Sequence, residues 1–112
     1  MTAREGLNEV DQLVMLALVR LESSAYGVTI RAEIDNRSGR SVSMAAVYSA
    51  LDRLEKRGYA EAWLSDPTAE RGGRAKKHFK ITAAGAAQLR DARGAMARMW
   101  EGLDMHPDLR AP

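Results

Sequence analysis

Five basic side chains, Arg71, Arg74, Lys76, Lys77 and Lys80, stand against one acid, Glu70, in the segment TAERGGRAKKHFK at residues 68–80. The segment carries a net charge of +4 while the whole chain is only +2, so everything else sums to −2. Arg71 and Arg74 flank Gly72-Gly73, a pair that lets the backbone turn with positive φ and brings the two guanidinium groups together. A charged tip of this kind is suited to phosphates, or to a minor groove and the phosphates bordering it. Lys76, Lys77 and Lys80 continue the charge along the chain. Solubility alone is served by interspersed signs rather than by one cluster.

A tip needs strands to carry it. Residues 59–65 read as one strand, ended by Asp66-Pro67. Residues 75–81 read as the returning strand, with Phe79 and Ile81 on one face and His78 and Lys80 on the other. Upstream lie three helices. Asn8 caps the first, with Asp11 in its first turn, and Leu13, Val14, Leu16, Ala17, Leu18 and Leu21 cover more than one face, so it should be largely buried. The second starts near Ala25 with a stripe of Tyr26, Ile30 and Ile34, and stops at Gly39. Gly27, near its start, loses helix propensity and suits close packing. Ser43 caps the third, over residues 43–58, with Val47, Leu51 and Leu54 inward. Thr82 caps a final helix. The order helix, helix, helix, strand, basic loop, strand, helix predicts a mainly α (α+β) fold. It is a winged helix-turn-helix at residues 8–82, with a two-stranded wing whose tip spans 67–75, a long C-terminal helix at 83–104 and a tail at 105–112.

Rotating the third helix away from its core stripe leaves Ala45, Ser49, Asp52 and Lys56 pointing outward, with Tyr48 and Arg53 on the flanks. The small, polar first half admits close approach to base edges in a major groove. Tyr48 can donate its hydroxyl to a phosphate, and Arg53 and Lys56 add charge. An amphipathic helix with a merely solvated face is the plainer reading of this segment by itself; the basic hairpin that follows decides for DNA. The expected DNA-binding set is therefore Ser43, Ala45, Tyr48, Ser49, Arg53, Lys56, Arg71, Gly72, Gly73, Arg74, Lys76 and Lys77.

These residues also carry a family resemblance. Ala25-Tyr26-Gly27, the run AVYSALDRLE at residues 46–55, RGGR at 71–74 and ITAAG at 81–85 together resemble the PadR family of bacterial transcriptional regulators, over residues 13–103. The resemblance implies a homodimeric winged-helix repressor on a pseudo-palindromic operator, with the third helix in the major groove and Tyr48 at the DNA interface. It also places the chain with the short members, which end after one C-terminal helix.

Leu89, Met96 and Leu103 recur every seven residues, and Ala92 and Met99 take the matching d positions, a narrow coiled-coil-like seam. Gly94 and Gly102 lower helix propensity, so this helix gains from a partner. The expected dimer interface is Leu89, Ala92, Met96, Met99, Trp100 and Leu103. Trp100 and its dimer mate, with Met96 and Met99, are also expected to line an apolar cavity at the dimer interface for a small planar hydrophobic effector that releases the repressor, because methionine adapts its shape and indole offers a flat face.

Other functions find less support. His78 and His106 are the only histidines and the chain has no cysteine. No nucleophile or metal-ligand partner stands at motif spacing, so neither an enzyme, a metal nor a cofactor is expected. The absence of cysteine fits a reducing cytoplasm. The longest apolar run, residues 13–19, is too short to span a bilayer. The remaining alternative is a winged-helix protein–protein interaction module without specific DNA binding, against which the basic wing argues.

Overall fold

Three side-chain caps set the starts of the main helices in the computed structural model, which describes residues 6–65 and 75–110. The Asn8 side chain accepts the Asp11 N–H at 2.7 Å and opens α1 (Glu9–Leu21). Ser43 Oγ accepts the Ala46 N–H at 3.0 Å and opens α3 (Met44–Lys56). Thr82 Oγ1 accepts the Gly85 N–H at 3.0 Å and opens α4 (Ala83–Trp100). Each satisfies a donor that the first helical turn leaves without an intrahelical partner. Helix α2 (Gly27–Ser38) begins two residues later than the sequence suggested, because Ala25 and Tyr26 are extended; it ends as expected at Gly39, in the left-handed region at φ 73°.

The core fills the space between α1, α2 and α3. Val14, Met15 and Leu18 of α1 meet Ile30 and Ile34 of α2 and Val47, Ala50, Leu51 and Leu54 of α3. The inward stripe of α3 is the one its helical spacing predicts; that of α2 holds for Ile30 and Ile34, whereas Tyr26 lies ahead of the helix in extended backbone and turns to β2 instead. Helix α1 is less buried than expected: Leu16 and Val19 are about half exposed, so only one of its apolar faces is covered within the chain.

Strands β1 (Ala60–Leu64) and β2 (Lys77–Ile81) pair antiparallel, with Ala60 opposite Ile81 and Ala62 opposite Phe79. Phe79 seals the core from below. The segment before α2 then adds itself to the free edge of β2: the Phe79 N–H donates to the Ala25 carbonyl at 2.9 Å, and Tyr26 bridges His78. This addition accounts for a second correction. Strand alternation placed His78 outward beside Lys80, but it is buried, its ring 5.3 Å from that of Tyr26 and stacked 5.1 Å from that of Trp63. Lys80 does face outward.

Helix α4 lies on this body by its first turns. A Cβ at Gly85 would collide with the backbone carbonyl of Tyr59, so the helix can approach the α3–β1 turn only with glycine there. Gly85 is the helix's one fully buried residue, and Leu89 packs partly against the core. The helix ends at Trp100, four residues before the expected 104. Glu101 leaves helical geometry, Gly102 takes φ 80°, and Leu103 sits in the turn that follows, off the helical seam. In the segment read as a tail, Pro107–Leu109 forms a single 3-10 turn, with His106 Nδ1 accepting the Asp108 N–H at 3.1 Å.

Candidate nucleic-acid interface

Ala45, Tyr48, Ser49, Asp52, Arg53 and Lys56 are all exposed on one side of α3. Nothing among the described residues covers the small first half of this face. Ser43 spends its oxygen on the cap, which fixes where the helix begins rather than leaving a free acceptor. Arg71, Gly72, Gly73 and Arg74 lie outside the described residues, but both strands that lead to them are in place.

Tyr48 is the residue that joins α3 to its surroundings. Its phenol lies against Gly27: a Cβ there would stand 2.5 Å from the Tyr48 hydroxyl and 2.7 Å from the ring carbon that bears it. Gly27 is thus the space Tyr48 occupies, which explains in physical terms why AYG and VY occur in one sequence. Half of the Tyr48 side remains open, with 54% of the residue exposed, and its hydroxyl makes no hydrogen bond among the described residues.

The phenol borders a notch of about 340 Å³ at the start of α2, lined by Tyr26, Gly27, Val28, Tyr48, Lys76 and Lys77. The first backbone N–H groups of a helix and its dipole both favour an anion at such a place. Lys76 is held over it, with Nζ 3.3 Å from the Tyr26 hydroxyl and 4.4 Å from the centre of the Tyr26 ring. Three of the notch residues, Tyr26, Gly27 and Val28, were not among the sequence-derived candidates. Their signal was present as an extended Ala25-Tyr26 step before a glycine, but it points to the notch only once Tyr48 is brought across from α3.

Most of the predicted cations are locally engaged. Lys56 pairs with Asp52 at 3.0 Å, Lys77 with Glu55 at 3.3 Å and Lys80 with Glu61 at 3.1 Å, all between exposed or half-exposed groups. Such pairs contribute about 0–1 kcal/mol and can be exchanged for a phosphate. Arg53 differs. Its Nη2 lies 2.7 Å from Oδ1 of Asp11, a carboxylate that is almost wholly buried.

A second region holds the residues expected at the dimer seam. Met96, Met99 and Trp100 are exposed along the last turns of α4, with Ala92 half-buried behind them. Met96 and Trp100 share a cleft of about 470 Å³ between α1 and α4, with Gln12 and Leu16 on the α1 side. Met99 faces a separate groove of about 280 Å³ on the other flank of the helix, which Met96 also borders, so within one chain the three residues do not share a single cavity. The Trp100 cleft also holds Arg90 and Arg93, neither of which forms an ion pair among the described residues, and no acid lines it.

No group of three or more His, Cys, Asp or Glu residues that could hold a metal occurs among the described residues. No described helix is long and apolar enough to cross a membrane.

The comparisons with known proteins agree with this architecture. A protein of Lysinibacillus sphaericus, named only as uncharacterized, is 34% identical over 82% of this chain and 83% of its own length. A PadR family transcription regulator from hypervirulent Clostridium difficile superposes with a TM-score of 0.72 at 21% identity, covering 87% of this chain and 96% of that one. A PadR-like transcription factor from Bacteroides fragilis gives 0.70 at 20% identity, over 85% and 86% of the two chains. At those identities the two structures speak for the fold. The family model of PadR-like transcriptional regulators matches residues 15–91, from within α1 through the wing and into α4, and the chain belongs to that family.

Proposed function

We propose that this transcriptional regulator is a homodimeric repressor that acts in the cytoplasm on a pseudo-palindromic DNA operator. The observation that carries the reading is the continuity of surface from the small outward face of α3, across the open phenol of Tyr48, to the basic notch at the start of α2. A helix face of small side chains and a positive notch at a helix start then share one edge, at Tyr48. Ala45 and Ser49 approach base edges, Tyr48, Lys76 and Lys77 take phosphates, and Arg71 and Arg74 at the wing tip reach the neighbouring groove. The open apolar side of α4, together with the uncovered Leu16 and Val19 of α1, supports a two-fold seam that also spaces the two reading helices.

The test is a binding titration across salt, using duplex from beside the protein's own coding region. Log affinity should fall linearly with log salt, with a slope of about 0.9 per phosphate engaged. Replacing Arg71 and Arg74 by alanine should make that slope shallower. Salt-independent binding, or none to any duplex, rejects the reading in favour of a protein-binding winged helix.

The cleft at Trp100 supports an effector that is planar, apolar and negatively charged, because Arg90 and Arg93 offer the only charges on its walls among the described residues. In a Trp63→Phe background, Trp100 is the sole tryptophan, and an anionic naphthalene dye should quench it more strongly than a cationic one of the same size.

A further inference from the structure

Asp11 is the one acid in the described core, at 2% exposure, and it sits in the first turn of α1, far in sequence from the surface assigned to DNA. A buried carboxylate needs a counter-charge and hydrogen-bond donors. It finds them in Arg53, whose Nη2 is 2.7 Å from Oδ1. Arg53 nevertheless keeps 44% of its side chain exposed, on the flank of α3 next to Ser49 and Asp52. A guanidinium has five N–H donors in a rigid fork. One end is anchored inward on Asp11 while part of the group remains at the surface.

We infer that Asp11 is a positioning residue for DNA binding: it clamps one end of the Arg53 guanidinium so that the remaining donors are held ready for a phosphate beside α3. The inference rests on the reading of α3 as the DNA-facing helix. Two features support it. A long side chain held in one rotamer before binding loses less freedom when it meets its target, so affinity is gained without a new contact. The same turn of α1 also holds a second arginine: Glu9 pairs at 3.2 Å with Arg40, in the link just before α3. Arg40 and Arg53, before and within the reading helix, are thus both tied to one turn of α1. The Arg40 pair is exposed on both sides and is the exchangeable one. The Arg53 pair is the anchored one.

The inference predicts a sign that simple electrostatics opposes. Removing a negative charge from a protein that binds DNA should strengthen association. If Asp11 positions Arg53, Asp11→Asn should weaken it instead. We would measure binding of the full chain to a duplex that the wild-type protein selects from a random pool, for wild type, Asp11→Asn, Arg53→Met and the double variant, well below their melting temperatures. The expected result is about a tenfold loss for Asp11→Asn and no further loss on adding Asp11→Asn to Arg53→Met. Wild-type or tighter binding by Asp11→Asn overturns the inference, as does an equal loss in both backgrounds. If Asp11→Asn does not fold, Arg53→Lys answers the same question. It keeps the charge but lacks the fork, so it should bind about fivefold or more weakly at an unchanged salt slope; binding like wild type overturns the proposal. Failure of the wild-type protein to select any duplex would instead remove the reading on which the inference stands.

Discussion

The body formed by α1, α2, α3 and the wing base and the outer two-thirds of α4 are built by opposite rules. In the body, apolar side chains at helical spacing are inside: Leu18, Ile30, Leu51 and Leu54 are all buried. In α4 the residues with the same kind of spacing are outside: Met96 and Met99 are exposed, and beyond Leu89 nothing on the helix packs into the core. Periodicity therefore marks an apolar face without saying whether the chain itself covers it. The body supplies its own cover, whereas Met96 and Met99 of α4 and the Leu16 and Val19 side of α1 stay open within the chain, the surfaces that the proposed two-fold seam would use. The contrast separates stability from assembly, and the two can be attacked independently.

The largest effect should come from the body. Leu51→Ala removes a side chain that is 1% exposed from the centre of α3 and should cost about 2–5 kcal/mol in urea unfolding at fixed protein concentration. Met96→Ala with Met99→Ala should instead leave the helical signal intact and raise the dimer dissociation constant by about tenfold or more in sedimentation. If the methionine pair destabilises each folded protomer as much as Leu51→Ala does, the division between the two regions is wrong.

Two glycines sharpen the comparison on a smaller scale. At Gly85 an added Cβ meets the backbone of Tyr59, which cannot move aside; at Gly27 it meets the end of the Tyr48 side chain, which can swing outward. Gly85→Ala should therefore destabilise the fold by about 1–3 kcal/mol. Gly27→Ala should change stability by about 1 kcal/mol or less and reduce DNA affinity about tenfold, because Tyr48 leaves the edge of the notch. Unchanged DNA binding by Gly27→Ala would mean that the Tyr48 position is packing alone.

What could be read in the sequence follows the same physical line. Asn8, Ser43 and Thr82 were legible as caps because a cap joins a side chain to a backbone N–H three residues away, and local chemistry decides it. The stripe of α3, the Ile30 and Ile34 part of the α2 stripe, the paired strands and the outward face of α3 were legible from period; Tyr26 was not, because it leaves the helix to bridge β2. His78 was not, because alternation describes a strand with one packed face, and here Tyr26 and Trp63 close over the other. The end of α4 was not, because Glu101, Leu103 and Asp104 are all compatible with a helix that Gly102 in fact terminates. The Asp11–Arg53 pair was not, because it joins residues 42 apart and Asp11 had a sufficient local explanation at the head of a helix. The notch at Gly27 lies between these cases: each half was visible, and only folding brings Tyr48 to it.

The smallest expected effect tests whether a carboxylate beside a basic residue has one meaning in this molecule or two. Glu55 holds Lys77 at 3.3 Å at the surface, just as Asp11 holds Arg53 at 2.7 Å in the interior. The exposed pair is screened by solvent and contributes about 0–1 kcal/mol, so Glu55→Gln should leave the melting temperature nearly unchanged. It also frees Lys77 for a phosphate at the notch and removes a repulsive charge, so DNA affinity near 100 mM salt should rise by about twofold to fivefold, with a steeper salt slope. Asp11→Asn makes the same chemical change and should move affinity the other way. Opposite signs from two identical neutralisations would mean that burial decides the role of the pair: the exposed carboxylate competes with DNA for its cation, and the buried one presents its cation to DNA. Equal signs would reduce Asp11 to a structural ion pair and leave the basic notch and wing to account for binding.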